Sequence, residues 1–296
     1  MADHSKLLNE IKWNTRQRMQ FIEMMAYYTG VVTRSDVAKA FGLSDAAATK
    51  DLKLYQEIAP DNLVYKHTHF GFVPSLQFSE FFADLSPAKA LTMIAQNLAT
   101  VGGPYDVNAL FGITSDEVPL PNRLPDKELL AQITRAIHHH KKLHVRYYSL
   151  SDRQSEEPRI IEPHALVNTG LRWHVRAYCE DKYDFRDFVL SRFLWAETTD
   201  EDAESSADYD EDWSEFVVLK LIPHPKLSEK KQQSLLIDYQ ATNGIIEVRA
   251  RRALVGYALQ RLNVDNTEDL HLNPNQFQLA ISNRDEIAAY AGWALS

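Results

Sequence analysis

Apolar side chains near the N-terminus recur at intervals of three and four residues. Between Thr15 and Tyr28 this spacing predicts a helix with one face in a core, and Gly30 is expected to end it. A second, short helix is predicted over residues 33–41, with Thr33 or Ser35 as its N-cap. The pattern therefore favours a compact helical unit at the start of the chain.

A tight turn at residues 42–44 separates that helix from a third one. The third helix is predicted over residues 45–58, with Ala48 and Tyr55 on its buried face. Residues 63–73 then alternate between apolar and polar side chains around a polar tip, which predicts a β-hairpin. The resulting order is helix, helix, turn, helix, hairpin.

The centre of the chain predicts one helix followed by short strands. The helix is amphipathic and covers residues 126–141, and a turn is expected at residues 168–170. Four strands are predicted around that turn: 143–149, 159–167 with a break at Pro163, 171–179 and 184–195. Short consecutive strands after one helix indicate a small, strongly bent sheet or barrel.

Strands and helices alternate in the last part of the chain. Strands are predicted over residues 215–222, 244–250 and 276–281, and helices over residues 228–236 and 252–262. This alternation indicates a small α+β sandwich, so the expected fold class of the whole chain is multidomain α+β.

Two segments interrupt these patterns and predict connections between domains. Gly and Pro cluster at residues 101–105 and 118–125, while residues 198–215 carry nine acidic side chains and no basic one. The nine acidic side chains of this run account for the whole formal net charge of −9. Acidic and basic side chains are equal in number in the rest of the chain, which leaves room for a locally basic face. The expected domains are 1–80, 126–197 and 216–296, joined by a helical linker at 81–125 and a solvated acidic connector at 198–215.

Composition excludes several classes of protein. Hydrophobic residues make up 45% and charged residues 25% of the chain, as in ordinary folded proteins. No apolar stretch reaches the roughly 20 residues of a membrane span, and residues 1–13 lack the apolar core of a signal peptide, so a cytoplasmic location is expected. The single cysteine, Cys179, excludes internal disulfides and Cys-rich zinc sites.

The first unit resembles a winged helix-turn-helix DNA-binding domain. The resemblance rests on the order of its elements and implies that the third helix enters the major groove, where a small or polar face is needed beside cations that reach phosphates. A helical protein-interaction domain with solvated lysines is the alternative. The candidate DNA-binding residues are Ser44, Asp45, Ala46, Thr49, Lys50 and Lys53 on the helix, Lys66, His67 and His69 at the hairpin tip, and Lys6, Lys12, Arg16, Arg18 and Arg34 as further phosphate contacts.

The central unit resembles a WYL domain, an Sm-like small β-barrel sensor found behind winged helix-turn-helix modules in bacterial regulators. The matching segments are residues 161–163, 170, 173–175, 177–178 and 185–192. Two positions depart from the family. Residues 173–175 are Trp-His-Val rather than Trp-Tyr-Leu, and Ser191 stands where an acidic residue usually precedes the last arginine. The resemblance implies a ligand sensor followed by a C-terminal extension that helps to hold dimers together.

Alternation along the predicted strands brings basic and aromatic side chains to one face. Arg176 is expected to converge with Arg186 or Arg192. Guanidinium groups bind phosphate with paired hydrogen bonds and aromatic rings stack on bases, which favours an anionic, planar ligand such as a nucleotide or a single-stranded nucleic-acid end. The alternative is that these arginines pair with carboxylates on the surface. The candidate ligand-binding residues are Tyr147, His164, Trp173, His174, Arg176, Arg186, Ser191 and Arg192.

Catalytic motifs are missing from the sequence. It contains no G-x-S-x-G elbow, no phosphate-binding G-x-x-x-x-G-K-[ST] loop and no H-E-x-x-H pair. The adjacent histidines at 138–140 point about 100° apart on a helix and do not easily share one ion. His67 and His69 are expected on one face of a strand, without a further ligand side chain. We therefore expect no catalysis, no metal site and no cofactor.

The layout of the whole chain most resembles WYL regulators encoded beside anti-phage defence systems such as BREX, the BrxR/CapW type. That resemblance implies a transcriptional repressor that binds a pseudo-palindromic double-stranded DNA operator as a homodimer, under the control of an anionic nucleotide or oligonucleotide effector. Two alternatives stay open at this point. One is a nucleic-acid or nucleotide-binding module of a defence or repair complex without a role in transcription, and the other is an enzyme acting on nucleotides.

Overall fold

The computed structural model describes residues 11–96, 112–113, 118–150 and 157–295. The chain divides into two compact units, Met1–Pro119 and Leu120–Ser296. Among the described residues, the first unit contains one hydrophobic core and the second unit contains two. None of the described helices is long and apolar enough to cross a membrane.

The first unit consists of helices and one hairpin. Its elements are α1 (Trp13–Thr29), α2 (Arg34–Phe41), α3 (Asp45–Ile58), β1 (Leu63–Lys66), β2 (Gly71–Pro74) and α4 (Pro87–Gln96). The predicted ends of α1 and α2 are confirmed, because Gly30 and Gly42 adopt left-handed φ angles of 79° and 62°. Thr33 caps α2 in a reciprocal capping box with Asp36, and Ser44 caps α3.

The hairpin is short and packs against the segment between α1 and α2. The backbones of Val32 and Phe72 exchange two hydrogen bonds of 2.8 Å, and a Cβ on Gly71 would lie 2.8 Å from the Val31 side chain. The expectation that His67 and His69 share a strand face is wrong, because residues His67–His69 form a 3-10 turn between β1 and β2. A turn directs neighbouring side chains apart where a strand would align alternate ones.

A buried carboxylate fastens α1 to the chain that follows the hairpin. Glu23 is fully buried and accepts hydrogen bonds from the backbone N–H groups of Phe82 and Ala83 at 2.8 and 2.7 Å. It also accepts a bond of 2.9 Å from the hydroxyl of Tyr55 on α3. Glu23 therefore satisfies donors from two other segments of the unit inside its core.

The second unit begins with a helix and a five-stranded antiparallel sheet. These are α5 (Lys127–His139), β3 (Lys141–Tyr147), β4 (Arg159–Asn168), β5 (Trp173–Cys179), β6 (Asp184–Val189) and β7 (Phe193–Asp202), in the sheet order β6-β5-β4-β3-β7. The sheet is strongly curved, since the hydroxyl of Tyr147 on β3 accepts a hydrogen bond of 3.0 Å from the backbone of Val189 on β6, although β4 and β5 lie between these strands in the sheet. The predicted bent sheet is confirmed.

Two predicted details of this sheet are wrong. Pro163 does not break a strand, because β4 continues through it and absorbs it as a shift in register between Pro163 and Ala165. Residues 184–195 are not one strand either. They comprise the edge strand β6, a 3-10 turn at Leu190–Arg192 and the first residues of β7. The turn interrupts the alternation of side chains that was expected from Arg186 to Arg192.

The last part of the second unit alternates strands and helices, as predicted. Its elements are α6 (Glu211–Ser214), β8 (Phe216–Pro223), α7 (Glu229–Asp238), β9 (Ile246–Arg251), α8 (Val255–Arg261), β10 (Val264–Asp265), β11 (Leu279–Ile281) and α9 (Arg284–Ala291), with the strands in the order β10-β11-β8-β9. Leu219 and Leu221 on β8 are fully buried and form a core with Val255 and Leu259 on α8.

The acidic segment at residues 198–215 is not a uniformly solvated connector. Strand β7 extends to Asp202, and Asp210 is only 1% exposed. Lys142 is 2.7 Å from Glu180 and 3.6 Å from Glu204 of the acidic segment, so basic side chains of the sheet draw part of this segment into structure. The prediction of a solvated segment rested on repulsion between its acidic side chains. The cations that offset this repulsion lie far away in the sequence, so the local pattern did not reveal them.

We expect Glu23→Ala to lower the free energy of unfolding of the first unit by about 3 kcal/mol, because the buried N–H and hydroxyl donors lose their acceptor. The measurement is native-state hydrogen exchange in residues 13–58 of the full chain. Glu57→Ala is the matched control, since Glu57 is an exposed glutamate on α3. Equal protection in the two variants would contradict the role of Glu23.

The same carboxyl gives this stability a pH dependence. Burial raises the pKa of Glu23 above its usual 4.5 despite the hydrogen bonds that it accepts. The folded state therefore keeps the proton to a higher pH than the unfolded state does, and the contribution of this group decreases as pH rises above 4.5 through the folded pKa. Glu23→Ala should remove that pH dependence from the exchange data.

Candidate functional site

The outer face of α3 is polar and accessible. Ala46, Lys50 and Lys53 are exposed, whereas Ala48 and Leu52 on the opposite face are buried in the core of the first unit. A helix that presents one small, cationic face and anchors the other suits the major groove. Ser44 and Asp45 are also exposed at the start of α3, but Thr49 is half-buried and its hydroxyl donates to the carbonyl of Asp45 at 2.8 Å.

Two predicted phosphate contacts near α3 are engaged in ion pairs. Arg18 donates two hydrogen bonds to Asp51, at 2.6 and 3.1 Å, and Asp51 is only 6% exposed. Arg18 is thus held by the protein, and the charge of Asp51 does not oppose DNA at this face. Arg34 lies 3.2 Å from Asp45 with both side chains more than half exposed, so that pair is open to exchange with a phosphate.

The remaining predicted DNA contacts lie on the surface of the first unit. Lys12 and Arg16 are exposed at the start of α1, and Lys66, His67 and His69 are exposed at the hairpin tip. Lys6 lies outside the described residues. The first unit therefore presents a helix face and a hairpin tip with accessible cations.

A cleft of about 880 Å³ opens in the second unit between the curved sheet and the last domain. Four of the predicted ligand residues line it: Tyr147, Arg176, Arg186 and Arg192. The other four, His164, Trp173, His174 and Ser191, are not in the lining. The cleft also receives Tyr257 from α8 and Trp293, which the sequence did not connect with the central strands. Its volume matches that of ordinary small-molecule sites.

Arg176 is held inside the protein by the acidic segment. Its Nε and Nη2 donate to the two carboxylate oxygens of Asp210 at 2.7 and 2.9 Å, and both residues are nearly fully buried. His164 adds a bond from Nε2 to Asp210 at 3.1 Å, which leaves its buried Nδ1 without a hydrogen-bond partner in the described part of the chain. Burial raises the pKa of Asp210, but the bonds from His164 and Arg176 outweigh that effect and the net pKa lies well below its usual value.

The same guanidinium links the sheet to the last domain. Nη1 of Arg176 lies 3.5 Å from Asp187 on β6, and Asp187 accepts a hydrogen bond of 3.1 Å from the hydroxyl of Tyr257 on α8. Trp213 of the acidic segment packs edge-on against His164 and receives the guanidinium of Arg251 on its ring face at 4.5 Å. The network therefore joins three parts of the second unit through buried charged groups.

Arg192 is different from the other arginines of the cleft. In the described ranges no hydrogen bond or ion pair engages its guanidinium. Three of the five carboxylates in the lining have cationic partners within 4 Å: Asp184 with Arg186, Asp187 with Arg176, and Asp212 with Arg252. Arg192 is thus a cleft cation whose charge is not offset by these acids.

Two further arginines add positive potential near Arg192. The pKa of Arg172 is lowered by its burial and by the charges of Arg123 and Arg192. Burial and the same three arginines lower the pKa of His174 to about 4, so this 1%-exposed ring is neutral at physiological pH. The His174 ring lies 5.0 Å from that of Tyr257, which lines the cleft. The mutual repulsion of these arginines favours an anion beside them.

Sequence reasoning missed Asp210, Tyr257 and Trp293 of this site. Asp210 was one of nine acids in a segment assigned to solvent, and Tyr257 belongs to a helix of another domain. One weak signal was present: Asp210 precedes Trp213, a large aromatic residue in an otherwise polar run. No local pattern pointed to Tyr257, because its place in the cleft depends on how the two domains pack.

Three family models match successive parts of the chain. Residues 14–96 match the BrxR transcriptional regulator winged helix-turn-helix domain, residues 128–198 match the WYL domain, and residues 216–287 match the BrxR transcriptional regulator C-terminal dimerization domain. Together these matches cover most of the described residues and follow the order that the sequence predicts.

Curated relatives match nearly the whole chain. The DNA-binding transcriptional repressor CapW of Escherichia coli (strain KTE188) is 33% identical over 291 residues, which is 97% of this chain and 95% of the relative. CapW of Pseudomonas aeruginosa is 32% identical over 280 residues, 93% of this chain and 91% of the relative. A solved structure of proteasome accessory factor B/C of Arthrobacter aurescens matches at 20% identity and a TM-score of 0.27, over 95% of this chain and 48% of that one, a likeness too low to support an argument.

We expect Asp210→Asn to lower the free energy of unfolding of the second unit by about 3 kcal/mol, because the buried guanidinium of Arg176 loses its charged partner. Urea titration of the full chain measures the change, and Asp208→Asn is the control because Asp208 is an exposed neighbour. The pKa of Asp210 lies below its usual 3.8, so its contribution should be full above pH 4 and be lost as pH falls through the folded pKa. An Asp210→Asn protein as stable as the control would show that the pair contributes nothing.

Proposed function

The chain belongs to the BrxR and CapW family of DNA-binding transcriptional repressors, and on this premise we propose that it represses an anti-phage defence operon and is released from its operator by an anionic effector. The repressor acts in the cytoplasm as a homodimer on a pseudo-palindromic operator. Residues 1–80 contact DNA, residues 126–197 hold the effector and residues 216–296 join two copies, with connections at 81–125 and 198–215. Proteins of this family are repressors and not enzymes.

The exposed face of α3 is the observation that carries the DNA-binding part of the proposal. Lys50 and Lys53 lie on that face next to the small Ala46, and the buried side of the helix fixes its orientation in the first unit. Lysines at these positions reach backbone phosphates, while Ala46 leaves room for base edges. Asp45 faces the same side, but its ion pair with Arg34 reduces its repulsion of DNA.

Dimerisation supplies the symmetry that a pseudo-palindromic operator needs. The match of residues 216–287 to a C-terminal dimerization domain supports an assembly of two copies. Two recognition helices in such a pair contact half-sites about one helical turn apart, roughly 34 Å centre to centre. A change of a few ångströms in their separation therefore weakens both half-site contacts at once.

The cleft of the second unit supports an anionic, planar effector. Arg192 provides a guanidinium that no hydrogen bond or ion pair engages in the described part of the chain, and Tyr147 and Tyr257 provide aromatic side chains in the same lining. This combination suits a phosphate together with a base, so a nucleotide or a single-stranded nucleic-acid end is the effector class we propose. Arg176 does not bind the effector directly in this proposal, because its guanidinium already forms ion pairs with Asp210 and Asp187.

The buried network gives the effector a route to the dimerisation domain. Anion binding at Arg192 alters the electrostatic balance around Asp187, which is bonded to both Arg176 and Tyr257. Tyr257 lies on α8, within the region matched by the dimerization model. We propose that the effector shifts the dimer between two arrangements through these contacts, one of which releases DNA.

Lys50→Ala and Lys53→Ala should each weaken binding to the DNA upstream of the protein's own gene. Each substitution removes one phosphate contact, so the slope of log K against log salt should become less steep by about 1 per lysine. Fluorescence anisotropy over a salt series gives both quantities. Lys230→Ala, an exposed lysine of the last domain, is the charge-matched control. Unchanged affinity and slope in both α3 variants would reject α3 as the DNA-binding helix.

Arg192→Ala should weaken binding of a fluorescein-labelled single-stranded DNA decamer by about tenfold or more, because one charge-assisted contact to phosphate is lost. Competition with ATP and with inorganic pyrophosphate separates recognition of the base from recognition of the phosphate. Arg135→Ala on the exposed side of α5 is the control for loss of one arginine. If Arg192→Ala binds all three probes as the wild type does, the effector site lies elsewhere.

A further inference from the structure

The tip of the hairpin carries a large apolar side chain with few contacts to the protein. Phe70 is 80% exposed and follows the 3-10 turn at His67–His69. Its φ of 49° lies in the left-handed region, which is unfavourable for a bulky residue. Burial does not stabilise a phenylalanine at this position, and its backbone conformation disfavours one. A contact outside the first unit would explain why position 70 carries this side chain.

The stem below this residue is rigidly supported. Phe72 exchanges two backbone hydrogen bonds of 2.8 Å with Val32, which adds a bridge to the two strands of the hairpin. The Tyr65 ring packs edge-on against His67 at 5.1 Å and against Phe72 at 5.3 Å. Gly71 allows a close approach to Val31 that no other residue would permit. Phe70 is therefore presented on a fixed support and not on a loose loop.

The surroundings of Phe70 are suited to a polyanion. Residues 63–74 contain no acidic side chain, and Lys66, His67 and His69 are exposed around the tip. Cations that contact the backbone together with an apolar wedge are the combination with which proteins enter the minor groove and unstack a base step. This complementarity favours DNA over an apolar partner protein as the occupant.

We infer that Phe70 inserts its ring between base pairs in the minor groove of the operator, where it unstacks one base step and bends the duplex. The inference rests on the proposed function, because it requires that the first unit binds DNA. It adds a specificity that α3 does not supply. A wedge favours pyrimidine–purine steps, which unstack most easily, so part of the operator sequence is selected by deformability.

The experiment uses the full chain and a duplex from the DNA upstream of the protein's own gene, with 2-aminopurine placed in turn at each step of the site. Wild type should raise 2-aminopurine fluorescence at one position and bend the duplex in a circular-permutation gel assay. Phe70→Ala should lose both signals and bind about tenfold more weakly. Phe70→Leu should retain both signals, because leucine also acts as a wedge.

Two controls separate this contact from charge and from general apolar exposure. Leu76→Ala removes a fully exposed apolar side chain that lies beyond the hairpin, and it should behave as wild type. Phe70→Ala should leave the slope of log K against log salt unchanged, whereas Lys66→Ala should reduce it by about 1. A loss of affinity with an altered slope in Phe70→Ala would indicate a displaced hairpin and would overturn the wedge.

Other results also overturn the inference. Unchanged affinity, fluorescence and bending in Phe70→Ala would show that the ring does not enter DNA while the proposed function stands. A change in the sedimentation of Phe70→Ala without DNA would assign the ring to a contact between copies. If folded wild type does not bind the upstream DNA, the proposed function fails and the inference fails with it.

Discussion

The paired hydrogen bonds between Arg176 and Asp210 are the interaction on which the second unit depends. A buried guanidinium is strongly unfavourable without a charged partner. Asp210 of the acidic segment therefore packs against the sheet and pairs with Arg176. This closure brings Trp213 against His164. The remaining nitrogen of the same guanidinium, Nη1, lies near Asp187, which accepts a hydrogen bond from Tyr257 of the last domain. One buried charge thus contacts both the acidic segment and the aspartate that binds the last domain.

Charge pairing within the cleft also decides which cation is available to a ligand. Arg176 and Arg186 have acidic partners, whereas Arg192 has none in the described part of the chain. In the proposed function an anion binds at Arg192, in the same cleft as Asp187 and Tyr257. The proposed coupling of effector binding to the dimer depends on this electrostatic network.

The first unit shows the same division between internal and external contacts. Glu23 and the pair of Arg18 with Asp51 use polar groups to fix the helices, and the outer face of α3 and the hairpin tip stay exposed. Lys50 and Lys53 offer charge on α3, and Phe70 offers an apolar edge on the hairpin. If both proposed contacts form, the unit recognises base edges through α3 and the ease of deforming the duplex through Phe70.

The sequence by itself determined the elements whose causes are local. Gly30, the candidate caps at Thr33 or Ser35 and the apolar spacing predicted the three helices, and short alternating runs predicted the curved sheet. Only the tertiary structure decided the partners of charged groups. Asp210 meets Arg176 across 34 positions and Tyr257 meets Asp187 across 70. Periodicity reports which face of an element is buried, but a charge finds its partner only after distant elements have packed together.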